Sequence, residues 1–443
     1  MTYVYRVSIV AAASGLLFGF DIAVINGALL FLKQQFGLNE VETGIAAGAL
    51  LAGCVVGAAI GGWLSDRFGR KRILLVSAIL FAISSVGAAL PHNLPQFAAA
   101  RSTGGVAIGI ASLLAPLYIA EVSPAAIRGR LVSLNQMAIV SGILLSYLVN
   151  WGFSFRAENG WRWMFAIAAI PSLAFFAGLF FVPESPRWLV EMGREPEAME
   201  TLERVGGNNE ARAQLDRIRA SIQEESGTLA ELFAPGMRRA LVIGLVLAVM
   251  QQWAGVNTVL FYGSLILKER VGHQTASSAI GANVLIGGVN FLATIAALWL
   301  IDKVGRKALL IFSAGSMGVC LVCLGWAFRS TPPSPVVVIT AMLGCTAAFA
   351  VGLGPGVWVV LSEIFPTRIR GRAMSLCTVA LWVACSVLTI TFLAISTAIG
   401  APRTFWLYAG ICAFTVIFVW RVTPETKGKS LEDIEAFWKR RAA

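Results

Sequence analysis

Charge is scarce in this chain. Only 13% of its 443 residues are Asp, Glu, Lys or Arg, where an ordinary soluble protein carries roughly 25%. Polar runs are scarce as well, with one long example at 184–238. A soluble domain with a charged surface is therefore excluded. Histidine is almost missing. The two present, His92 and His273, fall in expected loops. The apolar stretches thus hold no histidine for a metal site, a Ser/His/Asp triad or a proton relay, and neither cofactor nor metal is expected. All seven cysteines lie inside apolar stretches, which leaves no external disulfide framework. Cys320 and Cys323 form a C-x-x-C without a nearby histidine and read as packing.

What is abundant is apolar sequence. Hydrophobic residues make up 57%, and the mean hydropathy is +0.75. They fall into twelve blocks, near 7–31, 43–64, 72–90, 95–119, 131–151, 161–182, 239–267, 275–301, 307–328, 336–361, 371–397 and 402–421. Crossing ~30 Å of hydrocarbon takes about 20 residues per helix. Without water to satisfy the backbone, each block is expected to be a membrane-spanning helix. The first block is too long for a cleavable signal, carries an Asp and lacks an A-x-A-like end.

With the N-terminus inside, 27 of the 35 Lys and Arg fall on one side and seven on the other, while Arg101 lies within a block. This asymmetry places both termini in the cytosol of a cell-membrane protein. The net charge of +11 then reflects topology and not nucleic-acid binding.

The chain repeats itself once. Gly61-Gly-Trp-Leu-Ser-Asp66-Arg-Phe-Gly69-Arg70-Lys71 returns 236 residues later as Leu298-Trp-Leu-Ile-Asp302-Lys-Val-Gly305-Arg306-Lys307. Glu121-Val-Ser-Pro-Ala-Ala-Ile-Arg128-Gly-Arg130 returns at an offset of 242 as Glu363-Ile-Phe-Pro-Thr-Arg-Ile-Arg370-Gly-Arg372. Pro183-Glu184-Ser-Pro-Arg187 has a fainter echo in Pro424-Glu425-Thr-Lys-Gly428. The expected fold is an all-α membrane protein, its twelve helices in two pseudo-symmetric six-helix bundles over 1–183 and 239–422. Such repeats place a ligand site at their interface near the midplane. Residues 184–238 form the linker and 423–443 a cytosolic tail. Stretches 196–206 and 209–225 have the periodicity of short amphipathic helices, and the spacings from Glu197 and Glu203 offer no ion-pair ladder, so apolar packing is expected to hold them.

The repeated motifs carry a physical oddity. Helices 2, 4, 8 and 10 run inward, so Asp66, Glu121, Asp302 and Glu363 sit at helix C-termini. There the dipole disfavours an anion by roughly 0.3–1 kcal/mol. Arg70, Arg128, Arg130, Arg306, Arg370 and Arg372 follow within a few residues, beside glycines that permit tight turns. Positive-inside flanking explains the arginines alone. Acid, glycine and arginine at matched spacing read instead as salt bridges clamping the two halves together at a cytosolic gate.

Inside the blocks, only Asp21 and Arg101 are charged well away from the ends. Each costs about 2.5–3.5 kcal/mol to insert, which makes each a functional candidate. At 1.5 Å per residue, Asp21 lies ~15 Å from the outer edge and the Arg101 backbone ~9 Å. A carboxylate beside an arginine stays ionised until the contact loosens, so the pair suits proton coupling. A purely structural ion pair is the alternative. The repeat aligns Gly19-Phe-Asp21 with Gly255-Val-Asn257, an acid in one half against an amide in the other.

Five amides, Gln136, Gln251, Gln252, Asn257 and Asn290, sit within apolar helices 5, 7 and 8, and two indoles, Trp358 and Trp382, within helices 10 and 11. Amides both give and accept hydrogen bonds, as sugar hydroxyls do, and an indole offers a flat face to a pyranose. Interhelical bonding and packing are the bland alternatives; together the seven favour a polar, uncharged ligand.

Asp66-Arg-Phe-Gly-Arg-Lys71, Glu121 to Arg130, Pro183-Glu-Ser-Pro-Arg187, Gln251-Gln252-x-x-Gly255-x-Asn257, Glu363 to Arg372 and Pro424 to Gly428 span nearly the whole chain. In these motifs it resembles the sugar porter family of the major facilitator superfamily. The resemblance implies that Gln136, Gln251, Gln252, Asn257, Asn290 and Trp358 contact monosaccharide hydroxyls, that Trp382 stacks on the sugar, and that Phe18 is a helix-1 contact. It implies that Asp21 is the acid of proton-coupled members, where passive facilitators tend to carry Asn. Glu184 and Arg187 join the cytosolic gate on the same ground. Phe261, Ile143, Leu381 and Cys385 depart from commoner polar residues, giving a less polar cavity.

The expected activity is import of a hexose or pentose by proton symport, with a proton-independent facilitator as the alternative and a monomer as the working unit. A drug/proton antiporter would carry a Gly-Pro-rich motif on helix 5, and Leu131 to Trp151 has no proline. A membrane enzyme would need a catalytic constellation in the spans.

Overall fold

The computed structural model describes residues 2–124, 127–156, 159–206, 208–224, 229–234, 237–269, 271–272, 275–330 and 332–427. Arg270, His273, the tail from 428 and the side chain of Asp302 lie outside that set. Twelve helical spans are long and apolar enough to cross a membrane. In chain order, spans 1–6 are Tyr3–Phe36, Glu40–Phe68, Arg70–Ala89, Leu94–Val122, Arg128–Phe153 and Gly160–Leu179. Spans 7–12 are Met237–Glu269, Ala276–Ile301, Arg306–Ala327, Pro335–Glu363, Ile369–Ile399 and Ala401–Val422. Each apolar block of the sequence corresponds to one span. Their alternation puts the N-terminus, the linker, the start of the tail and the turns between spans 2–3, 4–5, 8–9 and 10–11 on one face, here the terminal face, and the remaining turns on the far face.

At the far face spans 2, 4 and 8 are capped by their own side chains, while spans 6, 10 and 12 start without such a cap. Asn39 and Glu42 form a reciprocal capping box at span 2, Asn93 accepts from the Gln96 N–H at span 4, and Thr275 accepts from Ser278 at span 8. At the terminal face, spans 3 and 9 follow Gly69 and Gly305, whose φ angles of +98° and +101° only glycine adopts freely. Neither start has a cap from its own side chain.

Spans 2 and 4, and spans 1 and 5, pack backbone against backbone. A Cβ on Gly53 or Gly105 would strike the facing span's carbonyls, as would one on Gly19 or Gly142. In hydrocarbon such close approach substitutes for the missing hydrophobic drive between helices. Three spans are broken in ways the apolar blocks do not show, span 6 dividing into Gly160–Ala166 and Ala169–Leu179. Span 7 divides into Met237–Trp253 and Val256–Glu269, with Gly255 at φ +90°. Span 10 divides at Gly352 into Pro335–Val351 and Leu353–Glu363.

The halves meet towards the far face. Lys33 pairs with Glu269 at 3.0 Å, and span 2 lies so close to span 11 that a Cβ on Gly44 or Gly48 would collide with Ile390. Asn26 of span 1 is completely buried and enters the backbone of span 7. Its amide donates to Leu260 O at 2.7 Å, while its carbonyl oxygen accepts from Ser264 N at 3.0 Å. Asn283 of span 8 joins this node through Ser264.

The linker forms helices Pro186–Glu191, Glu195–Gly206 and Asn208–Glu224. Trp188, Leu189, Ala198, Leu202, Ala211 and Leu215 make its own apolar core. The expectation that ion pairs contribute no ladder is corrected. Arg194 pairs with Glu197, Arg204 with Glu200, and Arg219 with both Asp216 and Glu195. Glu197, Glu200 and Asp216 bond to arginines three or four residues away, a register missed by testing only the positions after Glu197 and Glu203, and Glu195 reaches across to Arg219 of the next helix.

Candidate functional site

The buried charge pair forms as its depths suggested. Arg101 of span 4 donates from Nη1 to Asp21 Oδ1 at 2.5 Å and from Nη2 to the Asp21 backbone oxygen at 2.6 Å. Arg101 is 1% exposed and Asp21 4%. The guanidinium also lies 5.1 Å from the Phe165 ring of span 6, itself packed edge-on against Phe97 and Trp161. Removing one member of a buried pair costs about 3–5 kcal/mol, since the other is left uncompensated. The second carboxylate oxygen of Asp21 has no protein partner, nor has the Arg101 Nε.

In span 7 three amides form a chain. Asn257 Nδ2 donates to Gln252 Oε1 at 2.8 Å, and Gln252 Nε2 donates to Gln251 Oε1 at 3.1 Å. Gln251 Nε2 ends the chain on Leu353 O and Gly354 O, at 2.7 and 2.9 Å. Those carbonyls lie just past the break in span 10, where Ser313 also accepts from Leu353 N. Gln251 is thus tied to the broken helix as well as to its neighbouring amide. Both its amide protons are committed to backbone, so in this conformation it braces the broken helix and orients Gln252. Gln252 is half-buried and retains a free proton and lone pair.

Phe18 and Trp382 meet across the halves with ring centres 5.7 Å apart. Trp382 is 3% exposed, and its indole N–H has no protein partner. Gln136 and Trp358 are half-buried and Asn290 is buried. None of the three is joined to the other candidates by a described bond. Asn26, Ser264 and Asn283 were missed, although Asn26 stands in the same apolar block as Asp21 and is as much an interior amide as Asn290.

At the terminal face the charges assemble twice in the same pattern. Arg70 at the start of span 3 holds Glu121 at the end of span 4 through Nε and Nη2, at 3.1 and 3.2 Å. It also pairs with Asp66 at 3.1 Å. Ser185 donates to Glu121 at 2.5 Å. In the second half Arg306 holds Glu363 at 3.0 Å and Thr426 donates to it at 2.5 Å. The neighbouring acids supply the missing helix caps. Glu184 accepts from Lys71 N and Ser185 N, and Glu425 accepts from Arg306 N and Lys307 N. Burial would raise the Glu425 carboxyl, but backbone N–H groups of Lys427, Lys307, Arg306 and Thr426 hold it below its ordinary value.

The described pairs act first within the halves. They join spans 3 to 4 and 9 to 10, each within one half, because the arginine opening one span lies beside the acid closing its neighbour. Arg128, Arg130 and Arg372 are exposed, Arg187 bonds to Glu191 at 3.2 Å, and Arg370 donates to Phe365 O at 3.4 Å. The Asp302 side chain lies outside the described residues.

Two repeated bundles, a broken span beside a chain of amides, and a buried acid–base pair define a membrane transporter of the major facilitator fold. The family model described as sugar (and other) transporter matches residues 7–438, and the chain belongs to that family of transport proteins. It is 40% identical over 445 residues to the arabinose-proton symporter of Bacillus subtilis (strain 168), covering 99% of this chain and 96% of that one. It is 36% identical over 447 residues to the major myo-inositol transporter of the same organism, covering 98% and 94%. The partially occluded inward open conformation of the xylose transporter XylE from E. coli superposes with a TM-score of 0.87 at 35% identity, covering 97% of this chain and all of that one.

Proposed function

We propose that the protein imports a monosaccharide, a pentose or hexose, together with a proton by alternating access. The observation that carries this reading is the Asp21–Arg101 pair, the only ionisable pair buried deep in the described spans. A proton gradient drives uptake only through a group that binds protons differently in two states. Similarity to an arabinose-proton symporter supports the same coupling.

Gln136, Gln252, Asn257, Asn290 and Trp358 supply the hydrogen bonds to the sugar, with Gln251 bracing them. Trp382 and Phe18 supply the apolar face, and the unpartnered Trp382 N–H gains an acceptor when a hydroxyl arrives. The halves 1–183 and 239–422 rock about this site, with the terminal face and both termini in the cytosol of the cell membrane and a monomer as the working unit. The duplicated clusters of Asp66, Arg70, Glu121 and Glu184, and of Arg306, Glu363 and Glu425, keep each half rigid while it moves.

The test uses purified protein in liposomes with arabinose, xylose, glucose and myo-inositol offered in turn while internal pH is recorded. Symport predicts that a transported sugar acidifies the lumen and accumulates against its gradient when a proton gradient is imposed. Sugar entry with no proton movement would establish a facilitator instead.

A further inference from the structure

Span 3 brings a hydroxyl to the charge pair that the transport reading leaves unused. Ser84 is completely buried, and its Oγ has no protein partner. Its neighbour Ser85 shows the usual outlet for a helical serine, donating to Phe81 O at 2.8 Å. Ser84 does not take that outlet. Buried polar atoms are nearly always paired, so an orphan of this kind asks for an explanation. The free carboxylate oxygen of Asp21, Oδ2, is a second orphan. Gly104 of span 4 brings the two together: a Cβ there would collide with Ser84 Oγ and come within 3.0 Å of Asp21 Oδ2. The two unpaired oxygens therefore flank one gap, kept open because residue 104 is glycine.

We infer that Ser84 is a positioning residue for the transported proton, the hydrogen-bond partner of Asp21 Oδ2, with Gly104 leaving the room they need. The inference rests on the symport reading. A hydroxyl suits both states of the acid, since it donates to a carboxylate and accepts from a carboxylic acid. When Asp21 is ionised, Ser84 gives its proton's hydrogen bond to Oδ2, directly or through one water. When a proton from solution adds to Oδ2, the new O–H donates to Ser84 Oγ, and the serine keeps its own proton and turns it away. The bond to the ionised form is charge-assisted and the stronger of the two, so the serine favours release.

The other groups facing Asp21 leave this role open. Arg101 of span 4 occupies Oδ1 and the backbone oxygen. The buried Cys54 thiol of span 2 lies within electrostatic reach of both charges. Span 5 approaches span 1 through backbone at Gly19 and Gly142, and span 6 presents the Phe165 ring to Arg101.

The experiment compares Ser84→Ala, Ser84→Thr, Gly104→Ala and Asp21→Asn with the parent in liposomes. The probe is whichever of arabinose, xylose, glucose or myo-inositol the parent concentrates, and thermal melts check folding. Ser84→Ala should move the pH midpoint of proton-driven uptake upward by about 0.5–1 unit, because the weaker bond to the acid form is lost along with the stronger one. Ser84→Thr, which restores a hydroxyl, should return the midpoint towards the parent, and Gly104→Ala, which fills the gap, should displace it. A Ser84→Ala protein that melts like the parent and keeps its midpoint overturns the inference. Should Asp21→Asn still concentrate sugar, the symport reading itself fails. If Asp21→Asn abolishes accumulation while Ser84→Ala leaves the midpoint unmoved, only the role of Ser84 is lost.

Discussion

The two halves are near copies at the terminal face and differ at mid-membrane. At the terminal face Arg70, Glu121, Ser185 and Glu184 correspond to Arg306, Glu363, Thr426 and Glu425, the arginine holding the first acid, a hydroxyl donating to it and the second acid capping the next span in each half. In the interior Asp21 corresponds to Asn257. Ser84, facing Gly104, corresponds to Cys320, whose sulfur would lie 2.8 Å from a Cβ on Gly344. The backbone solution is thus retained in both halves while the ionisable chemistry stays in one. Structural requirements act on both halves alike, because each must cap the same helices and satisfy the same acids. Coupling a proton to a ligand needs one titrating group and one hydrogen-bonding surface, and duplicating the acid would add a second insertion cost of about 2.5–3.5 kcal/mol.

The strongest test makes the halves alike. Asp21→Asn gives the first half the amide of the second and removes the titratable group at nearly constant size. Uphill accumulation in liposomes under an imposed proton gradient should fall to equilibration, a complete loss. Exchange of labelled for unlabelled sugar should continue, since it requires no net proton movement. Accumulation that persists in this variant would place the proton elsewhere.

Next in size is the second half's own contribution. Gln252→Ala removes the amide that links Gln251 to Asn257. Loss of one or two hydrogen bonds of about 1–1.5 kcal/mol each should weaken sugar binding roughly 10–100-fold in a calorimetric titration. Unchanged affinity would remove span 7 from the site.

Much of this was readable from the residues because membrane constraints are severe. Twelve apolar blocks had to be helices, and two interior charges at compatible depths had few partners besides each other. The breaks in spans 7 and 10 were not readable, because Gly255 and Gly352 interrupt the ladder without interrupting the hydrophobicity. The bracing bonds of Gln251 were hidden for the same reason: only the break exposes Leu353 O and Gly354 O for it to serve. Asp66, Glu121 and Glu363 of the repeated motifs are held by arginines as expected, but sequence spacing could not say which half each partner belongs to.

A smaller effect is expected where the halves touch. Asn26→Ala cuts the amide that bridges Leu260 O and Ser264 N and should loosen the far-face closure by about 1–3 kcal/mol. A cysteine placed in the cavity and challenged with an impermeant reagent from the far side should label several-fold faster than in the parent background. Equal rates would mean that Asn26 only packs.

The smallest effect tests the likeness of the two terminal-face clusters. Glu425 caps span 9 from outside the membrane-spanning segments, and its carboxyl is held below its ordinary value of 4.5, burial being outweighed by four backbone N–H donors. A carboxyl depressed in the folded protein stabilises it fully above its unfolded value, and this contribution is lost as pH falls through the folded value. Glu425→Gln keeps the shape and one acceptor oxygen but never carries the charge. Because the group is partly exposed, the cap is worth about 1 kcal/mol at most, which lowers the melting temperature by about 1–2 °C at neutral pH in a protein of this size. The gap between parent and variant should close as the buffer is acidified from 4.5 downward, since the parent then loses the charge the variant lacks. A gap that stays constant with pH would show that Glu425 acts by shape alone. Glu184→Gln should give a smaller melting deficit, because Glu184 accepts one N–H of span 3, from Lys71, where Glu425 accepts two of span 9, and an equal or larger deficit would show that the number of capping bonds does not set the difference between the halves at this face.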